Sequence, residues 1–481
     1  MKITRIDSTK VEIETNGLRL TLFANESVDL DRGSFEEIEQ FSEITTTLDR
    51  LNSLGYFKDQ EGKITNAILT PDFHKGAGMP VGMVLETESF ILPKAIGTDI
   101  GCGMRLLVTD MTRDEFASLS NLDNHLRWMF FEGGRNLSLS PDQRIALFRD
   151  GLPGLIETKH DTGGLWDIWS DEDQTRDVIK CHNIGQWPTN DIFYQLDGFI
   201  KGSGNYSRDD QIGTIGGGVS NHFVEIQTID DIFDRHMAYE WGLRRDHIVI
   251  MVHTGSVGVG QMIGKHYTDK SRQTYPSIEH PKNGFYPLTG DIGREYMSAM
   301  ANAANFAFAN RLFLGLIAIK SLSDVAGRKI SSQLVYDAPH NLLWDSHRHI
   351  HRKGACPAHG PDSDFPMGHP VIIPGSIGDS SYLMAGKGNK ESLCSCCHGA
   401  GRIKPRQGQR KETSEFDQLR VITRIDPTKV RSDIAKAYLA SMAEEAPSAY
   451  KEITPVIDTV VDSNIASKVA RLNPLLTIKS V

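Results

Sequence analysis

The sequence predicts an irregular α+β fold, and three observations lead there. Short apolar runs broken by glycine and proline are interleaved with longer polar stretches, so strands and helices share the whole chain. Their spacing never settles into the regular strand–helix–strand units of a doubly wound parallel sheet. Tyr296–Ser321 (YMSAMANAANFAFANRLFLGLIAIKS) is the longest helical pattern and is apolar on most sides, as a helix at the centre of a fold would be. No internal repeat or low-complexity linker divides the chain. The expectation is a single catalytic domain over residues 1–481, with residues 111–200 as an inserted helical lobe.

The elements follow in order. The N-terminal MKITRIDSTKVEIETNG alternates polar and apolar residues and has no apolar signal core, which argues against export. Ser34 and Glu37 have the spacing of a capping box, predicting a helix through about Leu54. Ala67–Asp110 reads as strands joined by functional loops, and residues 111–200 as mostly polar helices. Strand-and-glycine texture returns at Ile212–Ile226 and at Ile248–Gly264. A last strand-and-loop block covers Leu334–Arg406, and a short helical and extended tail runs to Val481.

Composition excludes several classes. A net charge of −10 argues against a broadly basic nucleic-acid coat, though not against a local cationic groove. Candidates for such a groove are Arg352 with Lys353, then Arg402, Lys404, Arg406, Arg410 and Lys411. No run approaches the ~18 consecutive apolar residues of a membrane span, so no membrane association is expected. Six scattered cysteines make no disulfide framework for 481 residues, which points to reduced thiols and a cytoplasmic setting.

The chemistry starts at Asp99–Gly103 (DIGCG), where a carboxylate and a thiol three residues apart could reach one cation from a tight loop. Hard oxygen beside soft sulfur suits Mn²⁺, Fe²⁺, Co²⁺ or Zn²⁺ better than Mg²⁺ or Ca²⁺. A buried, inert cysteine is the bland alternative. Three histidines tip the balance. His222 (GTIGGGVSNHFVEIQ), His253 (IVIMVHTGSVGVG) and His340 (YDAPHNLLW) lie at or near the ends of apolar runs, where strands would deliver them to a shared site. With Asp99 and Cys102 they form a plausible two-metal set.

HGAGR at His398–Arg402 has a different character. Its small residues leave the imidazole accessible, and Arg402 can grip a phosphate, which suits a histidine nucleophile attacking phosphorus. A zinc knuckle fits poorly, because Cys394, Cys396 and Cys397 lack CxxC spacing. GVGQMIGKH at Gly258–His266 fails as a phosphate loop, since its spacing is one residue too long and His266 stands where Ser or Thr belongs.

Taken together, PDFHKGAGMPVG, AIGTDIGCGMR, GTIGGG, NHFVEIQ, VHTGS, ANFAFANR, the His340–Asn341 pair, HRKGA, IPGSIG, HGAGR, AYKE and the late IK occur in one order from about Thr70 to Lys479. In this the chain resembles the RtcB-type RNA ligases. The resemblance implies a GTP- and Mn-dependent ligase that joins RNA 3′-phosphate or 2′,3′-cyclic phosphate ends to 5′-hydroxyl ends, in RNA repair or tRNA splicing. It implies two Mn²⁺ ions bridged by Cys102, one completed by His253 and His340 and the other by Asp99 and His222. His398 would take guanylate from GTP.

Guanylate contacts are implied at Asn221, His222, Phe223, Val224 and Glu225, at His340 and Asn341, and at Pro374, Gly375, Ser376, Ile377 and Ser381. Those at His398, Gly399, Ala400, Gly401 and Lys479 complete the set. Glu225 would read the guanine edge, and Lys353, Arg402 and Arg406 would hold RNA phosphates. An archease-like activator is a further implied partner. The sequence departs from the family pattern at Val257 (usually arginine), at the extra Val219–Ser220, at Cys356 (usually threonine) and at Pro405 (usually serine). A divergent paralogue, acting as a phosphohydrolase or RNA-end-binding protein, is the alternative reading.

Overall fold

The computed structural model describes residues 1–58, 60–135, 137, 139–158, 163–201, 212–216, 221–344, 348–362, 364–404, 416 and 419–480. Two large sheets dominate. The first runs β1 (Lys2–Arg5), β2 (Lys10–Thr15), β3 (Leu18–Phe23), β4 (Lys63–His74), β5 (Val81–Glu88), β11 (His349–Lys353), β10 (Asn341–Trp344). Its neighbours are antiparallel except β3 and β4. The second runs β13 (Pro370–Ile373), β14 (Ser381–Gly386), β17 (Ala466–Lys479), β7 (Phe223–Ile232), β8 (His247–Thr254), β6 (Gly103–Thr112), β9 (Ser332–Pro339), with β16 (Val421–Thr423) parallel to β17. A short ladder of β12 (Ala355–Pro357) and β15 (Ser395–Cys397) leads into His398. The α+β expectation holds.

The predicted central helix extends over Gly290–Ala326. It is the one helix among the described residues long and apolar enough to cross a membrane, but its apolar window is 89% buried inside the fold. Alternation in the second sheet explains that burial. Val224, Ile226, Ile248, Ile250 and Val252 face the core shared with this helix, whereas Met104, Leu106, Val249 and Met251 face the opposite core. The polar stretch after Asp110 is helical at Arg113–Ser118, Leu122–Phe131, Pro141–Glu157 and Asp171–Val178, and its apolar faces join the long helix in one core.

Two local expectations need correction. The first helix is capped by Asp31, whose Oδ2 accepts from the Ser34 N–H at 3.0 Å, and it ends at Ser42 before a second helix over Ile44–Ser53. Ser34 donates its own N–H and hydroxyl to Asp31, and Glu37 is taken up by the Gly76 and Gly78 N–H groups, so this pair forms no capping box. Residues 257–273 form a helix (Val257–Gln273) and not a strand-and-loop segment, so the pseudo-phosphate loop lies within its first turns.

Candidate active site

Four adjacent antiparallel strands build the site at one end of the second sheet. β6 and β7 begin there, and β8 and β9 finish there. Gly103 pairs with both Thr254 and Pro339, and Phe223 pairs with His253. That register gathers the Asp99–Cys102 loop, His222, His253 and His340 although the sequence scatters them. Cys102 Sγ lies 3.4 Å from His222 Nε2 and 3.4 Å from His253 Nε2. His253 and His340 bring their Nε2 atoms within 3.3 Å, and His222 Nε2 lies 2.7 Å from Asp99 Oδ2. The groups form two triads, Cys102–His253–His340 and Asp99–Cys102–His222, each with its donor atoms within 4.8 Å and with the sulfur in common.

The far nitrogens of two imidazoles are anchored. His222 Nδ1 lies 3.0 Å from the Ile215 carbonyl and His253 Nδ1 3.1 Å from that of Asn221, which leaves both Nε2 atoms aimed inward. Burial holds His253 and His340 well below the usual imidazole range, hence neutral and able to ligate. Burial and the adjacent Asp99 push the Cys102 thiol well up, and His222 overcomes burial to hold Asp99 low. The buried Asp99 Oδ1 has no hydrogen-bond partner among the described residues. Neutral imidazole nitrogens, an orphaned carboxylate oxygen and a thiol packed together satisfy one another poorly. The donor set fits borderline divalent cations.

The long helix fixes this floor. Arg311 donates to the carbonyls of Gly101 (2.6 Å) and Thr254 (3.1 Å), and its Nε donates to Asp337 at 2.7 Å. Asn310 donates to the Gly255 and Thr214 carbonyls at 3.0 Å each. Gly101 has φ +73°, and a Cβ there would stand 3.0 Å from Ala304 Cα, so the ligand loop can press on the helix only through glycine against small residues.

His398 adjoins the triads, its ring centroid 4.6 Å from that of His340. Its Nδ1 stands 2.8 Å from Asp72 Oδ2, and its backbone N–H donates to the same oxygen at 3.2 Å. Thr70 donates to Asp72 Oδ1 at 2.5 Å. Burial would raise Asp72, but His398 and Thr70 outweigh it and keep the carboxyl below its ordinary value. Asp72 is a functional candidate that residue-by-residue reading passed over, although it sits inside the PDFHKGAGMPVG segment.

A cavity of about 870 Å³ opens from the triads. Asn221, Phe223, Glu225, His340, Asn341, Pro374–Ile377, His398–Gly401 and Lys479 line it. His222 stands behind, among the triads. Val224 faces the long-helix core, and Ser381 Oγ is occupied by Gln227 (2.9 Å) and the Gly375 N–H (3.3 Å). Burial raises the Glu225 carboxyl to about 7 although Thr477, Gln227 and Lys479 pull it down. Lys479 Nζ donates to buried Glu445 at 2.8 Å, and Arg402 donates to Glu445 (3.3 Å), Tyr450 (3.0 Å) and the Glu444 carbonyl (2.7 Å). Nothing in the sequence pattern had pointed to Glu445. Lys353 lines the cavity with its Nζ donating to the Met79 carbonyl at 2.6 Å, and burial lowers it to about 8. Arg406, Pro405, Val219 and Ser220 lie outside the described residues.

Comparison with known proteins decides the lineage. The family described as tRNA-splicing ligase RtcB matches residues 58–480. The chain belongs to the RtcB family. It is 32% identical over 438 residues to the tRNA-splicing ligase RtcB of Thermococcus kodakarensis, covering 85% of this chain and 86% of that one. It is 32% identical to RNA-splicing ligase RtcB homolog 1 of Entamoeba dispar (86% and 79% covered) and 32% identical to the tRNA-splicing ligase RtcB of Nanoarchaeum equitans (86% and 88%). RtcB membership makes the chain an RNA ligase by kind, acting on RNA. The RtcB match begins at residue 58, so β1–β3 and the first two helices precede it.

Proposed function

We propose that this protein is a GTP- and Mn²⁺-dependent RNA ligase that seals 3′-phosphate or 2′,3′-cyclic phosphate ends to 5′-hydroxyl ends through a guanylylated His398. The observation that carries the reading is the pair of triads sharing Cys102 with His398 beside them, 4.6 Å from His340 between ring centroids. Asp99, Cys102, His222, His253 and His340 would hold two Mn²⁺ ions, which when bound supply charge to neutralise phosphate oxygens and leaving groups.

The chain's own groups account for the rest. Asp72, facing Nδ1 of His398, favours the tautomer whose Nε2 carries the free lone pair. That nitrogen attacks the α-phosphorus of GTP. A P–N bond forms, the bond to the bridging oxygen breaks, and pyrophosphate leaves. The guanylyl group then passes to an RNA 3′-phosphate oxygen, freeing His398. A 5′-hydroxyl attacks the phosphorus of the activated RNA 3′-phosphate, loses its proton and expels GMP, a better leaving group than an unactivated phosphate oxygen. A cyclic phosphate end is first opened by water. Glu225 accepts the guanine N1–H and amino group, and Asn221, His340, Asn341, Pro374–Ile377, Gly399–Gly401 and Lys479 surround the nucleotide. Lys353 and Arg406 meet RNA phosphates, and Arg402 would join them only on release from Glu445, Glu444 and Tyr450. A cytoplasmic setting and an archease-like activator belong to the same reading.

The test combines α-³²P GTP, Mn²⁺ and RNA carrying 3′-phosphate and 5′-hydroxyl ends. Expected are an acid-labile, base-stable protein label, its loss in His398→Ala with the fold retained, and a joined RNA product. A label retained in His398→Ala would move the nucleophile elsewhere.

Two observations favour the phosphohydrolase or RNA-end-binding alternative. Val257 stands where the resemblance gives arginine, and Arg402 is committed to Glu445, Glu444 and Tyr450. Single-turnover rates separate the readings. Fast labelling with sealing accelerated by Val257→Arg would show a handicapped ligase, and labelling without any joined product would favour the alternative.

A further inference from the structure

Besides the guanylate-side residues, Lys75, Gly76, Lys94 and Lys353 line the cavity, and this stretch forms its second arm. Gly399 faces Pro374 on one side of His398: a Cβ there would lie 3.6 Å from the Pro374 carbonyl. On the other side, a Cβ at Gly354 would lie 2.8 Å from His398 Cε1, and the preceding residue, Lys353, lines the cavity with its Nζ at the Met79 carbonyl. A Cβ at Gly76 would stand 3.1 Å from Lys353 Nζ, and one at Gly78 would stand 3.2 Å from Lys94 Nζ. The Gly76–Gly78 loop therefore runs between two ammonium groups. Lys75 lines the same arm and is exposed at its outer end.

None of these three lysines lies within ion-pair distance of a carboxylate among the described residues, in a chain of net charge −10. Lys94 Nζ donates once, to the Asn283 carbonyl at 2.9 Å, and stands 4.7 Å from the centroid of the Phe285 ring. Lys353 also donates once, to Met79. Each ammonium has three donors, so both keep capacity for an anion. Two carboxylates are nearby, and Glu37 acts electrostatically on both Lys94 and Lys353 without pairing with either. Glu37 accepts the Gly76 and Gly78 N–H groups at 2.6 and 3.1 Å, and Asp31 caps the first helix. Glu37 comes from the segment preceding the RtcB match. It fixes the glycine loop in the shape that holds Lys353 and Lys94 apart.

We infer that Lys75, Lys94 and Lys353 form a subsite for consecutive phosphates of a single RNA strand, held open by Glu37. This rests on the proposed ligase reading and adds residues to it. Three cations spaced from a buried position beside His398 to an exposed mouth suit a chain that must leave the site. The β- and γ-phosphates of GTP present the same chemistry and must also leave as pyrophosphate, but they bring two phosphates to three lysines.

The test is equilibrium binding of an internally labelled single-stranded oligoribonucleotide, by fluorescence anisotropy over a salt series, without GTP or metal. Lys75→Gln and Lys94→Gln should each weaken binding severalfold and flatten the log–log salt slope by about 0.7, the share of one phosphate contact on a single strand. Lys436→Gln, an exposed lysine away from the cavity, is the control. Glu37→Gln keeps the loop's size but weakens its anchor and also removes a negative charge that acts on Lys94 and Lys353, so lowered affinity would show that the anchor outweighs the charge, and raised affinity would overturn Glu37's part in the subsite. Unchanged affinity and slope in both lysine variants would overturn the subsite. Pyrophosphate is titrated in parallel, and its loss in the lysine variants with oligonucleotide binding intact would overturn the strand and assign the arm to GTP. Because binding is read apart from sealing, a wild type that binds RNA with this slope but joins no ends would sink the ligase reading and leave the subsite standing.

Discussion

Glu225 shows how one residue's surroundings set a functional pH range. Its carboxyl, raised to about 7 by burial, is mostly protonated near about pH 6 and mostly ionised near about pH 8. Only the ionised form offers both oxygens as acceptors to guanine donors. The KM for GTP in adduct formation should therefore fall as pH rises through about 7, and Glu225→Gln should remove that dependence. The same substitution should relax discrimination against ATP by about tenfold or more, since a charged acceptor for two N–H groups is lost. Steady-state labelling at several pH values, with GTP and ATP in parallel, checks both. A flat wild-type profile would mean that Glu225 does not read the base.

At the scale of elements, the long helix stabilises the fold and holds the site together. Arg311 and Arg105 both meet Asp337, at 2.7 and 3.1 Å, in a fully buried network that also ties down Gly101 and Thr254. Arg311→Met would leave the Gly101 and Thr254 carbonyls without their donor and weaken compensation of Asp337. The expected loss is about 3–5 kcal/mol, because removing one partner strands buried charge. Urea denaturation of the two proteins measures it, and a loss below about 1 kcal/mol would show that the network adds little to stability. Asn310→Ala should cost less, since its partners (the Gly255 and Thr214 carbonyls, the Thr254 hydroxyl and the Thr214 N–H) are all neutral, and should appear mainly as a lowered labelling rate.

For the whole molecule, the two triads join strands β6, β7, β8 and β9, so ligand binding there should stabilise the entire second sheet. Adding Mn²⁺ at a hundredfold excess over its Kd should raise stability by about 2.7 kcal/mol and shift the thermal midpoint upward. The Cys102 thiol, pushed well up by burial and Asp99, must lose its proton to ligate, so binding should release protons and weaken as pH falls. Cys102→Ser should lose most of the midpoint shift. Calorimetry with and without Mn²⁺, followed by metal analysis of the two proteins, decides it. An equal shift in Cys102→Ser would place the ions elsewhere.

Much of this was legible in the sequence, because its strongest signals are local. The apolar Tyr296–Ser321 run marked the central helix, Asp99 and Cys102 shared one glycine turn, and His222, His253 and His340 each adjoined a strand end. Glycine spacing and apolar period follow from backbone sterics and burial, which neighbouring residues encode. Asp31 as the true cap was also local, but it competed with a second acceptable spacing at Ser34. Other features had no local signature. Asp72 reaches His398 across 326 positions, and Glu445 gathers Arg402, Tyr450 and Lys479. Glu37 holds a loop 39 and 41 residues away. Such carboxylates look like ordinary surface charges in a sequence. Only the packing of distant strands, which buries each one beside donors from elsewhere in the chain, gives them their roles.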